Sequence, residues 1–137
     1  MDITRLWFGF TGRINRGKYW LATVINTLVA LGLILTAIAA NSWAIGVLTI
    51  LFVIPFFISS LAVALKRLND REKSPWWLLV FYLLPAALFV IGNLSEYPSL
   101  LFLVAVVISA WGLFELGCIR GTPGPNRYGP DPLTGRG

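Results

Sequence analysis

Between two long apolar runs lies the segment Lys66 to Trp77, which carries Lys66, Arg67, Asp70, Arg71, Glu72 and Lys73, six charges within eight positions. Hydrocarbon does not accept such a density of unpaired charge, so the segment is expected in water, dividing the chain into two hydrophobic halves. The rest of the composition fits that division. Of the 137 residues 57% are hydrophobic and 12% are charged, half the charge of an ordinary soluble domain, which places the chain among polytopic membrane proteins.

Each half reads as a helical hairpin. The run from Tyr19 to Ala40 is long enough to span a bilayer, which takes about 20 residues. Asn41 and Ser42 leave room only for a tight turn, with the Ser42 hydroxyl as a helix cap. A second span follows from Trp43 to Leu65. Pro55 within it lacks the N–H that would bond the Leu51 carbonyl, which predicts a kink, with Ser59 and Ser60 one turn on to satisfy freed backbone groups. The loop 66–75 ends in Ser74-Pro75, a hydroxyl cap before a proline at the first helical position. A third span, about 76–92, contains Pro85. Asn93 to Ser99 is another polar turn, with Ser99 as cap for a fourth span of about 100–118. The expected fold is therefore an all-α membrane protein of four transmembrane helices (domain 19–120), with an interfacial N-terminal segment at 1–18 and an irregular tail at 121–137.

Orientation follows from the bases. All 11 Lys and Arg lie in the N-terminal segment, in the central loop or after Ile119, while the two hairpin turns hold none. The positive-inside rule then puts both termini and the loop in the cytoplasm. The N-terminal segment mixes Arg5, Arg13, Arg16 and Lys18 with Trp7, Phe8 and Phe10, which suits an element at headgroup level. The net charge of +5 is explained by membrane orientation, so nucleic acid is not an expected partner. Arg13-Ile14-Asn15 before Lys18 and Trp20 echoes Arg67-Leu68-Asn69 before Lys73 and Trp76. Two readings fit that echo, parallel repeats and convergence on basic and aromatic flanks.

Few residues offer chemistry. Histidine is absent and Cys118 is the only cysteine, so no disulfide and no His/Cys metal site can form within the chain, and no catalytic residue or cofactor is expected. Glu115 is the one acid well inside a span and Asn26 the other strongly polar side chain at depth. An interfacial Arg or Lys partner for Glu115 and an ion pathway are the two readings.

The tail from Gly121 to Pro132 has four prolines and three glycines and cannot be helical. Its Asn126-Arg127-Tyr128-Gly129-Pro130-Asp131-Pro132 resembles the C-terminal signature of the bacterial inner-membrane family of domain of unknown function 805, the YhaH-like proteins. Gly12 to Arg16 with Tyr19-Trp20 is similar to the family's opening motif, and Arg67 to Asp70 with Ser74 and Trp76-Trp77 to its central loop. The resemblance covers nearly the whole chain, and it implies a fold and an inner-membrane location without a particular activity. Asn69 stands where members commonly have His, so the resemblance implies no proton switch at that loop.

Arg13, Arg16, Arg67, Asp70, Arg71, Asn126, Arg127 and Tyr128 would share one membrane face. Two roles fit them, binding of an anionic lipid headgroup or phosphorylated ligand by guanidinium forks, and docking of the tail beneath the bundle, with Asp131 as an anion for the surrounding arginines. The expected function is that of a non-enzymatic integral membrane protein that binds anionic lipid or partner membrane proteins, itself included as a homo-oligomer. The alternative is a subunit of a small oligomeric transporter or channel.

Overall fold

The computed structural model describes residues 3–134; residues 1, 2 and 135–137 of the expected N-terminal segment and tail lie outside the described part. The described residues are all-helical: α1 (Ile3–Phe8), α2 (Arg16–Ala40), α3 (Trp43–Asp70), a π-helical turn (Leu79–Leu83), α4 (Leu84–Leu94) and α5 (Pro98–Gly117). Among them α2, α3 and α5 are long and apolar enough to cross a membrane, and Leu79–Leu94 is a shorter apolar helix.

The helices pair as two hairpins, α2 with α3 and α4 with α5. At the first turn Asn41 sits in the left-handed region at φ 45°, and its N–H reaches back to the Ile38 carbonyl. Ser42 occupies the cap position of α3, yet its hydroxyl makes no capping bond. The other hairpin closes where Gly92 lies against Phe102; a Cβ on Gly92 would come within 2.5 Å of that ring. Here too the expected hydroxyl cap is absent. Helix α5 starts at Pro98, one residue before Ser99, and Ser95 instead accepts from the Tyr97 N–H.

The prolines act differently from one another. Helix α3 is continuous through Pro55. Ser60 bonds the Phe56 carbonyl at 2.9 Å and not the Leu51 carbonyl, while Ser59 accepts from Asn26. The two serines thus form a side-chain network rather than repairing the break. Pro85 is different, because the chain widens ahead of it and the Leu84 N–H bonds the Leu79 carbonyl, five residues back. A wider turn relieves the clash that a proline ring makes with the carbonyl four residues before it.

The main correction concerns the charged segment. Helix α3 does not stop at Leu65 but runs to Asp70, so Lys66, Arg67 and Asp70 are helical and buried, Arg67 completely. The chain turns only at Arg71 to Lys73. The Glu72 N–H bonds Asn69 and the Lys73 N–H bonds Leu68, a Schellman closure with Glu72 left-handed at φ 56°. At the start, α2 opens at Arg16 rather than Tyr19, with the Asn15 side chain capping the Lys18 N–H.

The core sits at this charged end. Leu6, Ile14, Tyr19, Ala22, Val63, Ala64, Leu68, Phe81 and Leu116 form one buried cluster, and Trp77 stacks on Phe81 at its edge. Away from it the long helices turn large apolar side chains outward, among them Leu28, Ile38, Ile50 and Phe52. Helix α1 packs on α3, buries Leu6, and sends the Trp7 indole N–H to the Asn26 carbonyl oxygen at 2.8 Å.

Candidate functional site

Buried charge survives only where every donor and acceptor finds a partner, and the charged end meets that demand largely with backbone carbonyls. Arg13 and Asp70, both almost fully shielded, form an ion pair at 3.0 Å. The Arg13 guanidinium is saturated. Nε and Nη2 hold Asp70 Oδ1, Nη2 also holds the Thr122 carbonyl, and Nη1 holds the carbonyls of Gly124 and Gly129. Asp70 Oδ2 is taken by Arg67 Nη1. One carboxylate therefore pairs with two guanidinium groups from different parts of the chain.

Arg67 joins the hairpins. Its remaining donors go to the carbonyls of Leu116 at 2.6 Å, Ile119 and Ile14. The C-terminal carbonyls of a helix have no intrahelical partners and carry the negative end of its dipole. At the end of α5 four side chains take them, for besides Arg67 the Arg71 guanidinium bonds Glu115 O, the Trp20 indole bonds Gly117 O, and Arg16 bonds Cys118 O. Lys66 does the same for α1, donating to the carbonyls of Arg5 and Leu6.

The tail is docked, with Thr122 donating both its N–H and its hydroxyl to the Asp70 carbonyl at 2.8 and 3.0 Å. Asn126 donates to the Asn69 carbonyl and to Thr122 Oγ1, and its own Oδ1 receives the Tyr128 N–H. A short antiparallel bridge between Asn126 and Gly129 closes the turn. The chain can pass this close only because residue 121 is glycine, since a Cβ there would collide with the Asp70 carboxylate. Asp131 was expected to face the arginines directly. Instead it binds the backbone N–H groups of Gly124 and Leu133, and these bonds, with help from Arg13 and Arg120, hold its carboxyl below the usual range.

The eight residues of the sequence-derived face thus divide. Arg13, Arg67, Asp70 and Asn126 meet in one network. Arg71 belongs to a second one, where it and Lys73 both reach Glu115 Oε1. That gives Glu115 its cationic partners at the end of the span. Arg16 is exposed and keeps only the Cys118 contact. Arg127 is exposed with its guanidinium 4.8 Å from the Tyr128 ring centroid, outside both networks. Asn26 is tied to Trp7, Ser59 and Ser60. Sequence reasoning missed Lys66, Trp7, Trp20 and Thr122, whose partners are mostly carbonyls that no side-chain pattern announces. The one available signal was periodicity: Lys66, Arg67 and Asp70 continue the turns of α3.

A hollow of about 240 Å³ opens beside the network. Its wall includes the first turn of α2 at Asn15, Arg16 and Gly17, together with Arg120, Thr122 and Asp131. Among the described residues no group of three His, Cys, Asp or Glu side chains is placed to hold a metal.

The chain is 30% identical over 135 residues to the inner membrane protein YhaH of Escherichia coli K12, covering 96% of this chain and 93% of YhaH. It is 31% identical over 136 residues to the inner membrane protein YhaI of the same strain, covering 98% and 95%. The uncharacterized protein YiiR is 31% identical over 137 residues, covering 96% and 90%. No solved structure matches. The protein family of unknown function DUF805 matches residues 7–130, a stretch that begins at Trp7 in α1 and closes just past the Asn126–Gly129 bridge, and the chain belongs to that family.

Proposed function

We propose that the chain is a non-enzymatic, four-span protein of the bacterial inner membrane, with both termini and the Arg71–Trp76 turn in the cytoplasm, and that it binds the phosphate of an anionic lipid headgroup there. The carrying observation is the separation of buried from exposed cations. Arg13 and Arg67 are consumed by Asp70 and by carbonyls, whereas Arg16 and Arg120 are exposed and line the 240 Å³ hollow. The start of α2, at Asn15, Arg16 and Gly17, lines the same hollow, and a helix N-terminus favours an anion. Two guanidinium groups beside it supply the forked donors that suit phosphate. The wall keeps an excess of positive charge, because Arg16, Arg67 and Arg120 line it against the carboxylates of Asp70 and Asp131. The basic end, on this reading, faces the anionic cytoplasmic leaflet.

The test is native mass spectrometry of protein released from membranes, with lipids identified. The parent retains anionic phospholipid, and the double variant Arg16→Gln/Arg120→Gln loses it by roughly tenfold, the scale of one charge-assisted contact. Retention equal in parent and variant would remove the proposal.

A further inference from the structure

More than half of the residues around the 240 Å³ hollow belong to the end of the chain after α5. Asn15, Arg16, Gly17, Arg67 and Asp70 form the bundle side, and the two stretches 120–123 and 131–133 form the other. The turn between those stretches draws them together, for the Gly124 N–H donates to Asp131 Oδ2 at 3.0 Å and Asn126 bridges to Gly129. What fastens this turn to the bundle lies outside the hollow. Arg13 donates to the carbonyls of Gly124 and Gly129, and Asn126 donates to the Asn69 carbonyl at 3.0 Å, yet none of these residues lines the cavity. The tail also contributes no side chain to the buried apolar cluster. It is held by hydrogen bonds, each made in exchange for one to water, so its release is a local opening that leaves the core in place.

We infer that the tail is the closing wall of this hollow, so that docking of the tail and capture of the anionic headgroup form one coupled equilibrium. The inference rests on the reading of the hollow as a headgroup site. With the tail released, the start of α2 and Arg16 face an open surface, and the side opposite them is gone. A headgroup that touches both sides binds the docked form better, and linkage then requires that it stabilise docking by the same factor. The coupling also runs the other way. Whatever loosens the turn at 124–130 lowers the fraction of protein with a complete site, and apparent affinity falls with that fraction. Asn126, Tyr128 and Gly129 do not line the hollow, so a change at them reaches it only through the placement of the tail.

Hydrogen exchange of the intact protein in detergent reads the coupling without any variant, with phosphatidylglycerol as the probe. The N–H groups of Asn126, Tyr128 and Gly129 are all bonded within the turn. At a lipid concentration ten times the half-saturating one, their exchange is expected to slow about tenfold. Inorganic phosphate is run alongside: slowing by both probes supports closure on the phosphate group itself, and slowing by the lipid alone supports closure on a membrane-bound headgroup. Native mass spectrometry supplies the reciprocal measurement. Asn126→Ala removes three hydrogen bonds of the turn, and Gly129→Ala puts a side chain at φ 135°. Each is expected to free the tail amides and to weaken phosphatidylglycerol retention about fivefold, with Arg16 and Arg120 still in place. Exchange at the three amides that ignores both probes overturns the inference, as does full retention by a variant whose tail amides exchange freely. If the parent then still retains the lipid and Arg16→Gln/Arg120→Gln releases it, the headgroup site stands without the coupling. A parent that retains no anionic lipid removes both.

Discussion

Arg13 and Asp70 lie 57 positions apart and meet as a buried ion pair at 3.0 Å, with the tail carbonyls of Thr122, Gly124 and Gly129 around the same guanidinium. Asp70 also holds Arg67, which grips the end of α5. The carboxylate is thus the single anion shared by the N-terminal segment, the first hairpin, the second hairpin and the tail.

Replacing Asp70 with Asn leaves two buried guanidinium groups without a counter-charge. Removing one member of a buried pair costs about 3–5 kcal/mol, and Asp70→Asn is expected at that level in detergent unfolding. A variant as stable as the parent would mean that the arginines find water or another anion.

Glu115 answers to two cations, Arg71 and Lys73, in a partly shielded setting. Lys73 also lies 5.0 Å from the Trp77 ring, so it keeps one attraction when the carboxylate is gone. Glu115→Gln is therefore expected to be the milder change, lowering stability by about 1–2 kcal/mol. Thermal unfolding in detergent measures it, and full stability combined with a lost ion flux in liposomes would favour a pathway role instead.

The docked tail predicts slow hydrogen exchange at Thr122, Asn126, Tyr128 and Gly129, whose N–H groups are all bonded. Asn126→Ala removes the donors to Asn69 and Thr122 and the acceptor for Tyr128, and should release these amides together. Tyr128→Ala, which leaves those bonds in place, should loosen them less. Exchange at peptide rates in the parent would show that the tail is free.

Acid should undo the tail turn first. The Asp131 carboxyl is held below its ordinary value, chiefly by the Leu133 and Gly124 N–H groups, so it binds a proton more readily unfolded than folded. Its contribution is fully present above the unfolded value, about 3.9, and is lost as pH falls through the lower folded value. Amide exchange at Gly124 and Leu133 is the readout; Asp131→Asn should remove the transition, and a transition that persists would assign it to another group.

Reporter fusions test the proposed orientation. Cytoplasmic reporters are expected to be active after Glu72 and after Gly137, and periplasmic reporters at Asn41 and Ser95. A periplasmic signal after Gly137 would defeat the four-span arrangement.

The hairpins were legible because apolar runs and polar turns are written locally: Asn41-Ser42 and Asn93 to Ser99 fall where the chain reverses. The tail's irregularity was equally plain from its prolines. What stayed hidden was the fate of Lys66, Arg67 and Asp70. Six charges in a row of eight suggested water, but three of them are solvated by protein, by the last carbonyls of α1 and α5 and by Arg13. Backbone carbonyls are the same in every sequence, so a site built from them shows only its cations. Asp131 illustrates the converse, since its nearest partners are N–H groups of its own turn rather than the arginines its charge suggested.

The glycine at 121 bears on how the chain is made. Arg13 and Asp70 leave the ribosome well before Gly121 to Gly129, so for that interval Arg13 lacks the three carbonyls that later surround it. Both hairpins can be inserted while their shared charged end is still open. Closing it awaits a strand slim enough to slide past the Asp70 carboxylate, a passage any side chain at 121 would obstruct. A chain released short of Thr122 would leave the Arg13 guanidinium without those three carbonyls, holding Asp70 alone.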